Sequence, residues 1–236
     1  MIIKRNTTFI YVCAIGGYHN NNKALGDRLL GTGTFVTKNG KFYILTAEHV
    51  ISDAIKADYI ILCDSNMMPR KVDLLNLNTN YSWKVHPVAD MAVLEIDTTV
   101  NPWISSRAFP YDHCEISMAG LGRDTEVTTV GFPCGLGVNN VFAPLTFRSF
   151  PASEVLQLNR LDKKTIITDV FLLEDPSIGG YSGGPVFDLA YKVDYNMTQT
   201  KDKTRLYGIM HGYIGNGVSG GHMSFVTPIS YLSQLI

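Results

Sequence analysis

Gly179-Gly180-Tyr181-Ser182-Gly183-Gly184-Pro185 is the stretch on which the reading of this chain turns. A serine set among glycines lies on a backbone that can turn tightly and approach another molecule without side-chain obstruction. The N–H groups of Gly180 and Ser182 can then converge on one point and stabilise an oxyanion. The same run also suits a glycine-rich hairpin. Chemistry is assigned to Ser182 only if partners stand elsewhere in the chain.

Two upstream segments supply them. Leu45-Thr46-Ala47-Glu48-His49-Val50 puts a histidine just past the apolar run Phe42-Tyr43-Ile44-Leu45. His86-Pro87-Val88-Ala89-Asp90-Met91-Ala92-Val93-Leu94 puts an aspartate at the mouth of a strand-like stretch. A neutral hydroxyl is a weak nucleophile and needs a base. The base needs an anion that fixes its tautomer and stabilises the imidazolium. Taken singly, His49 reads as a half-buried histidine and Asp90 as a turn residue; the conjunction with Ser182 carries the case. Asp97 rivals Asp90 for the acid's place but lies at the far end of the strand pattern.

In this order and context the chain resembles the chymotrypsin-like, or trypsin-like, serine peptidases. Thr46-Ala47-Glu48-His49 is similar to the family's T-A-x-H, Asp90 to Leu94 to its D-x-A-[VL]-L, and Gly180 to Pro185 to its G-x-S-G-G-P. Thr129-Val130-Gly131-Phe132-Pro133-Cys134-Gly135-Leu136-Gly137 is similar to a stretch of the HtrA-type branch, and Tyr207-Gly208-Ile209 with Phe225 to Ile229 to the family's last strands. The resemblance runs from about Gly31 to the end of the chain. It implies an all-β fold of two six-stranded antiparallel β-barrels with a short C-terminal helix. It also implies a catalytic set of His49, Asp90 and Ser182, and an oxyanion hole from the N–H groups of Gly180 and Ser182. The activity implied is a serine endopeptidase working through an acyl-enzyme, with proteins or peptides as substrates.

Specificity is less legible. The resemblance puts the primary pocket about six residues before the serine and along the strand before Gly212, hence at Pro176, Ser177, Met210, His211 and Gly212. Cleavage after Lys or Arg needs a carboxylate at the pocket floor, where Pro176 stands with Asp175 beside it. An apolar or small side chain, with Met210 in the wall, is the expected preference. Gly208-Ile209-Met210-His211-Gly212 is similar to the G-[IM]-H stretch of glutamyl endopeptidases and viral 3C-like proteases, with the histidine one residue late. Strand alternation would then turn His211 to the other face, toward Asp90. A specificity role and a triad-supporting role both stay open. His222 reads as a loop residue.

Departures from the family pattern matter as well. Tyr181 stands where digestive-type enzymes carry an aspartate that pairs with a newly cut N-terminus, and no Ile-Val-Gly-Gly-like start occurs early in the chain. Activation by N-terminal cleavage is therefore not expected. Val50 follows the histidine in place of the cysteine of secreted relatives. Nothing follows Ile236, so a bare protease domain without a PDZ module is expected. An enzyme latent until a protein partner or ligand activates it, and a catalytically silent binding module, are the competing expectations.

Composition sets outer limits. With 45% hydrophobic residues, the 236-residue chain can build an ample core, and a formal charge of −1 gives no reason to expect nucleic acid or an anionic membrane. No apolar run reaches the roughly eighteen residues of a membrane span. Cys13, Cys63, Cys114 and Cys134 lack C-x-x-C spacing, so no zinc site is expected. No metal or organic cofactor is implied. Free thiols point to a cytoplasmic setting rather than secretion. Thr7 to Gly17 reads as a first strand in preference to a signal peptide.

Short apolar segments punctuated by turn residues run along the chain. Strands are expected at 33–37, 41–45, 59–63, 92–96, 127–131, 165–170, 184–188 and 206–210. Asn39-Gly40 is a hairpin turn. A helix is expected over Val50 to Ala57, another over 229–235, and an exposed hairpin tip over Tyr191 to Thr204. A linker at Thr98 to Tyr111 divides the chain into an N-terminal barrel, 1–108, carrying His49 and Asp90, and a C-terminal barrel, 109–236, carrying Ser182.

Overall fold

Asn39 and Gly40 turn the chain at φ of 51° and 77° in the computed structural model, and the flanking segments pair from Thr34↔Leu45 to Lys38↔Lys41 as the turn demands. The structure describes the whole chain except residues 20–22, 53–55, 80, 100–101, 118–120, 176, 195–196, 201 and 216–221.

Apolar residues face inward on short strands throughout. The first sheet holds β1 (Val12–Tyr18), β2 (Asp27–Lys38), β3 (Lys41–Thr46), β4 (Tyr59–Cys63), β5 (Pro69–Asp73), β6 (Lys84–Val85), β7 (Ala92–Ile96) and β8 (Phe109–Pro110). The order is β5-β4-β1-β2-β3-β7-β6, and β8 lies parallel to β2. The second sheet draws on β9 (Val127–Gly131), β10 (Leu145–Ser149), β11 (Leu156–Asn159), β12 (Ile167–Leu173) and β13 (Pro185–Asp188). After these come β14 (Tyr191–Asp194) and β15 (Met197–Thr200), then β16 (Arg205–Gly215) and β17 (His222–Pro228). Its order is β10-β9-β13-β16-β17-β12-β11, while β14 and β15 form a separate hairpin.

The all-β architecture with two antiparallel sheets is as expected. Among the described residues the two sheets hold eight and seven strands, against six expected in each barrel. The additional strands include pieces as short as Lys84–Val85 and Leu156–Asn159, two and four residues long and mostly exposed, too short to announce themselves. The chain's opening also differs. Residues Arg5–Tyr11 form a 3-10 helix, and the strand begins only at Val12. Once begun it is buried at every position, between β2 and β4. His222 opens β17 rather than sitting in a loop, with its ring edge-on to Tyr213 at 5.3 Å. The helix beside His49, α1, spans Glu48–Ser52, and the closing helix is a 3-10 turn over Ile229–Gln234.

Apolar side chains from both sheets share one core. Val36, Leu45 and Phe109 meet Val130, Phe187 and Ile209, with Ile229 and Leu232 of the closing helix beneath them. Separate clusters fill each sheet, around Phe35 and Ile60 in the first and around Phe171 and Tyr181 in the second. Burial of this extent, at about 25 cal/mol per Å² of apolar surface, dominates the stability of the junction. Among the described residues, no helix is long and apolar enough to cross a membrane.

Candidate active site

The junction of the two sheets gathers the residues singled out in the sequence. His49 rides on α1, directly after β3. Asp90 ends the bend that leads into β7. That bend is held by the buried imidazole of His86, whose Nδ1 accepts N–H groups of Val88 at 3.1 Å and Ala89 at 2.8 Å. Two amides donating to Nδ1 require the tautomer protonated on Nε2, which faces Gln234 Oε1 at 3.1 Å. Burial accordingly pushes the His86 pKa down, with Gln234 opposing.

Asp90 is fully buried and grips the histidine twice. Its Oδ1 accepts the His49 backbone N–H at 3.0 Å, and its Oδ2 lies 2.7 Å from His49 Nδ1. Burial by itself would raise the Asp90 pKa; the hydrogen bond from His49 and the charges of His211 and His49 hold it below the ordinary carboxylate range. Burial lowers the His49 pKa, but the hydrogen bond and charge of Asp90, with Asp162 adding, outweigh it and leave the imidazole above its usual value; Arg160 pulls the other way. Asp97, the rival, binds Thr99 through an exposed turn instead.

Ser182 stands on the turn before β13, half-buried. Its Oγ donates to the carbonyl of His211 at 2.9 Å. Among the described residues it makes no hydrogen bond to His49. The preceding turn is pinned from three sides. Cys134 N–H donates to Gly179 O at 2.8 Å, Thr32 Oγ1 donates to Gly180 O at 2.8 Å, and the Tyr181 hydroxyl donates to Leu145 O at 2.8 Å. Both glycine carbonyls are thereby tied away from the serine. Among the described residues, the N–H groups of Gly180 and Ser182 donate to nothing. Gly180 has φ of 101°, and a Cβ there would lie 2.4 Å from Phe132 O, so no other residue fits.

Cavities open on both sides of this pair. One, of about 320 Å³, is walled by Leu161, Ser177, Ile178, Gly179, Gly212 and Tyr213 beside His49, Ser182 and His211. The other, of about 580 Å³, runs past Leu29, Leu30, Cys134, Gly135 and Gly180 to the same histidine and serine. His49, Gly179 and Ser182 line both cavities. The family model of the trypsin-like peptidase domain matches residues 31–193, more than half of the chain.

The chain belongs to the trypsin-like peptidase domain family.

Solved structures repeat the fold at low identity. The Rv3671c protease of M. tuberculosis, in an inactive form, aligns with 97% of this chain and 88% of its own at 15% identity and a TM-score of 0.54. Its Ser343Ala mutant aligns with 97% and 86% at 14% identity and 0.53. A Sesbania mosaic virus structure, described by the coupled folding and binding of that virus's disordered VPg protein, aligns with 100% and 94% at 12% identity and 0.51. No curated protein matches the sequence.

Within this trypsin-like domain the expected pocket residues divide. Ser177, His211 and Gly212 line the cavity of about 320 Å³. Met210 is 2% exposed, packs with Tyr181 and Val226, and lines a small adjoining cavity with Ser177 and Ile178. Pro176 lies outside the described residues. His211 does turn toward Asp90, for a reason the alternation argument lacked. The pairing of β16 with β17 slips between Met210 and Gly212, a bulge centred on His211. Its ring stacks on that of His49 at 5.5 Å, and its Nε2 lies 3.4 Å from both Asp90 Oδ2 and Asp162 Oδ1.

Sequence reading missed the charged residues around Asp90. Arg160, Asp162 and Glu48 all converge on it from distant parts of the chain. Arg160 and Asp162 lie in no motif that the sequence offers, and Glu48 fills the free position of T-A-x-H. Only tertiary contact distinguishes them. Donor atoms of His49, Asp90 and His211 lie within 4.8 Å of one another, as do those of Glu48, Asp90 and Asp162. The Arg160 guanidinium sits among the second set, and in the first the Asp90 oxygen is taken by His49 Nδ1–H.

Proposed function

We propose that this trypsin-like domain is a serine endopeptidase. The observation that carries the reading is a fully buried Asp90 holding His49 by two hydrogen bonds, in one cleft with Ser182. Ser182 Oγ attacks the peptide carbonyl while His49 Nε2 takes its proton, and His49 then returns that proton to the leaving amine. The tetrahedral oxyanion is met by the N–H groups of Gly180 and Ser182. Water repeats the sequence on the acyl-enzyme. Asp90 keeps Nδ1 protonated and stabilises the imidazolium without taking the proton. In this reading residues 1–108 carry base and acid and residues 109–236 carry nucleophile and oxyanion hole, with β8 laid across to β2. The four cysteines are free, which supports a reducing compartment.

A fluorophosphonate probe tests the reading, because it reacts only with an activated serine. Wild-type labelling that vanishes in Ser182→Ala is expected; an unlabelled wild type would leave a latent enzyme or a binding module in its place. A second reading, latency, is favoured by one observation. The Ser182 hydroxyl is spent on the His211 carbonyl, so attack requires its rotation toward His49. Unstructured casein cleaved without delay or addition would rule out latency that depends on a protein partner or ligand.

A further inference from the structure

Arg160 follows β11 and is 1% exposed, although no motif of the sequence claims it. A guanidinium has five N–H groups, and here every one has an acceptor. Nε donates to Asp162 Oδ1 at 3.0 Å, and Nη2 donates to Asp162 Oδ2 at 2.6 Å and to Asp90 Oδ1 at 3.1 Å. Nη1 donates to Glu48 Oε2 at 2.8 Å and to Val88 O at 3.3 Å. The fork to Asp162, only two residues away, orients the group before it reaches the first sheet. Its remaining bonds then cross the junction to the acid, to the bend before the acid, and to the residue beside the base.

We propose that Arg160 is a positioning residue for the Asp90–His49 pair, fixing the carboxylate across the junction of the sheets and setting the charge that His49 feels. The proposal rests on the triad reading above. Asp90 Oδ1 takes the Arg160 and His49 backbone N–H groups, so Oδ2 alone is left for His49 Nδ1. A lysine cannot reproduce this, since it offers three donors from a point charge rather than a planar fork.

Charge points the same way. The groups facing His49 are Asp90, Asp162, Arg160 and His211, with Glu48 on its own helix. Lys163 pairs with the other Glu48 oxygen, at the edge of the cluster. Three carboxylates this close repel and resist burial unless a cation lies among them. Arg160 is that cation, and its charge also works against an imidazolium at His49. Without it His49 would hold its proton to higher pH.

The test uses Arg160→Met and Arg160→Lys, each checked for cooperative melting. Two quantities are measured against pH: the His49 imidazole titration by 15N NMR, and the rate of Ser182 modification by a fluorophosphonate. In Arg160→Met the His49 midpoint should rise by about one pH unit or more, and the plateau rate should fall about 10- to 100-fold as alignment is lost. Arg160→Lys should keep the wild-type midpoint and still lose rate. An unmoved midpoint in folded Arg160→Met overturns the proposal, as does a wild-type rate in Arg160→Lys. If Arg160→Met does not fold, the rate of Arg160→Lys decides. A wild type that fails to label, as a latent or silent protein would, counts against an active serine, and the NMR titration then decides whether Arg160 sets the state of His49.

Discussion

Replacing Gly180 by alanine is the most discriminating single perturbation of the proposed oxyanion turn. The φ of 101° is one that side chains rarely adopt, and the added Cβ would lie 2.4 Å from Phe132 O, where under 3.0 Å something must shift. The atom in the way is backbone, so the turn moves rather than a rotamer. Strain of this kind costs about 1–3 kcal/mol. For a chain of this size that corresponds to a fall in Tm of roughly 2–12 °C. The functional loss should be larger, because moving the Gly180 N–H removes one oxyanion donor, worth about 10²–10³-fold in rate. Gly179→Ala is the internal control. No atom lies within 4 Å of a Cβ built there, and its φ is ordinary, so Tm should hold or rise slightly, by about 0.4–1 kcal/mol of stability. Fluorophosphonate labelling rates and calorimetric melting of both variants make the assay. The reasoning is refuted if Gly180→Ala labels like the wild type, or if Gly179→Ala is equally impaired.

Asp90→Asn should fold, since the amide is nearly isosteric, yet lose about 10⁴-fold in turnover because His49 takes the wrong tautomer; retained turnover would remove Asp90 from the mechanism. The acid limb of the labelling rate should lie above pH 6.5, because Asp90 raises the His49 pKa over that value. With its folded pKa raised, the imidazolium's contribution to stability is fully present below pH 6.5 and fades as pH rises through the folded value, so His49→Ala should cost more Tm at about pH 5.5 than at about pH 8.5. Equal losses at both would contradict the raised pKa. Tyr181→Phe leaves Leu145 O without its 2.8 Å donor inside the second sheet, and differential scanning calorimetry should show a loss of about 1–3 kcal/mol.

Tyr181 also shows how far a single substitution can be read. From sequence it signals only that the aspartate of zymogen-activated relatives is missing. In the fold its ring packs 5.4 Å from Phe147 and its hydroxyl reaches β10, so a buried aromatic ties the turn before Ser182 to the second sheet. Thr32 has a comparable history. It stands just before the strand expected at 33–37, and no motif claims it. Yet its Oγ1 accepts Phe132 N–H at 3.2 Å and donates to Gly180 O, joining three segments at the turn before Ser182.

What the sequence determined by itself was local in origin. Alternating apolar residues and the Asn39-Gly40 turn declare strands, because side-chain period and backbone φ are properties of neighbouring residues. The glycines around Ser182, and His49 and Asp90 at strand ends, announce themselves for the same reason. What only the tertiary structure decided depends on contacts between distant positions. Arg160 meets Glu48 112 positions away and Asp90 70 positions away; no pattern within a turn distinguishes this buried guanidinium from a solvated one. The bulge at His211 belongs to the register of two paired strands, which a single strand does not encode. Desolvation then turns these contacts into function. The charge of a residue is written in the sequence, but its energetic weight is set by the partners and the low-dielectric surroundings that folding brings to it.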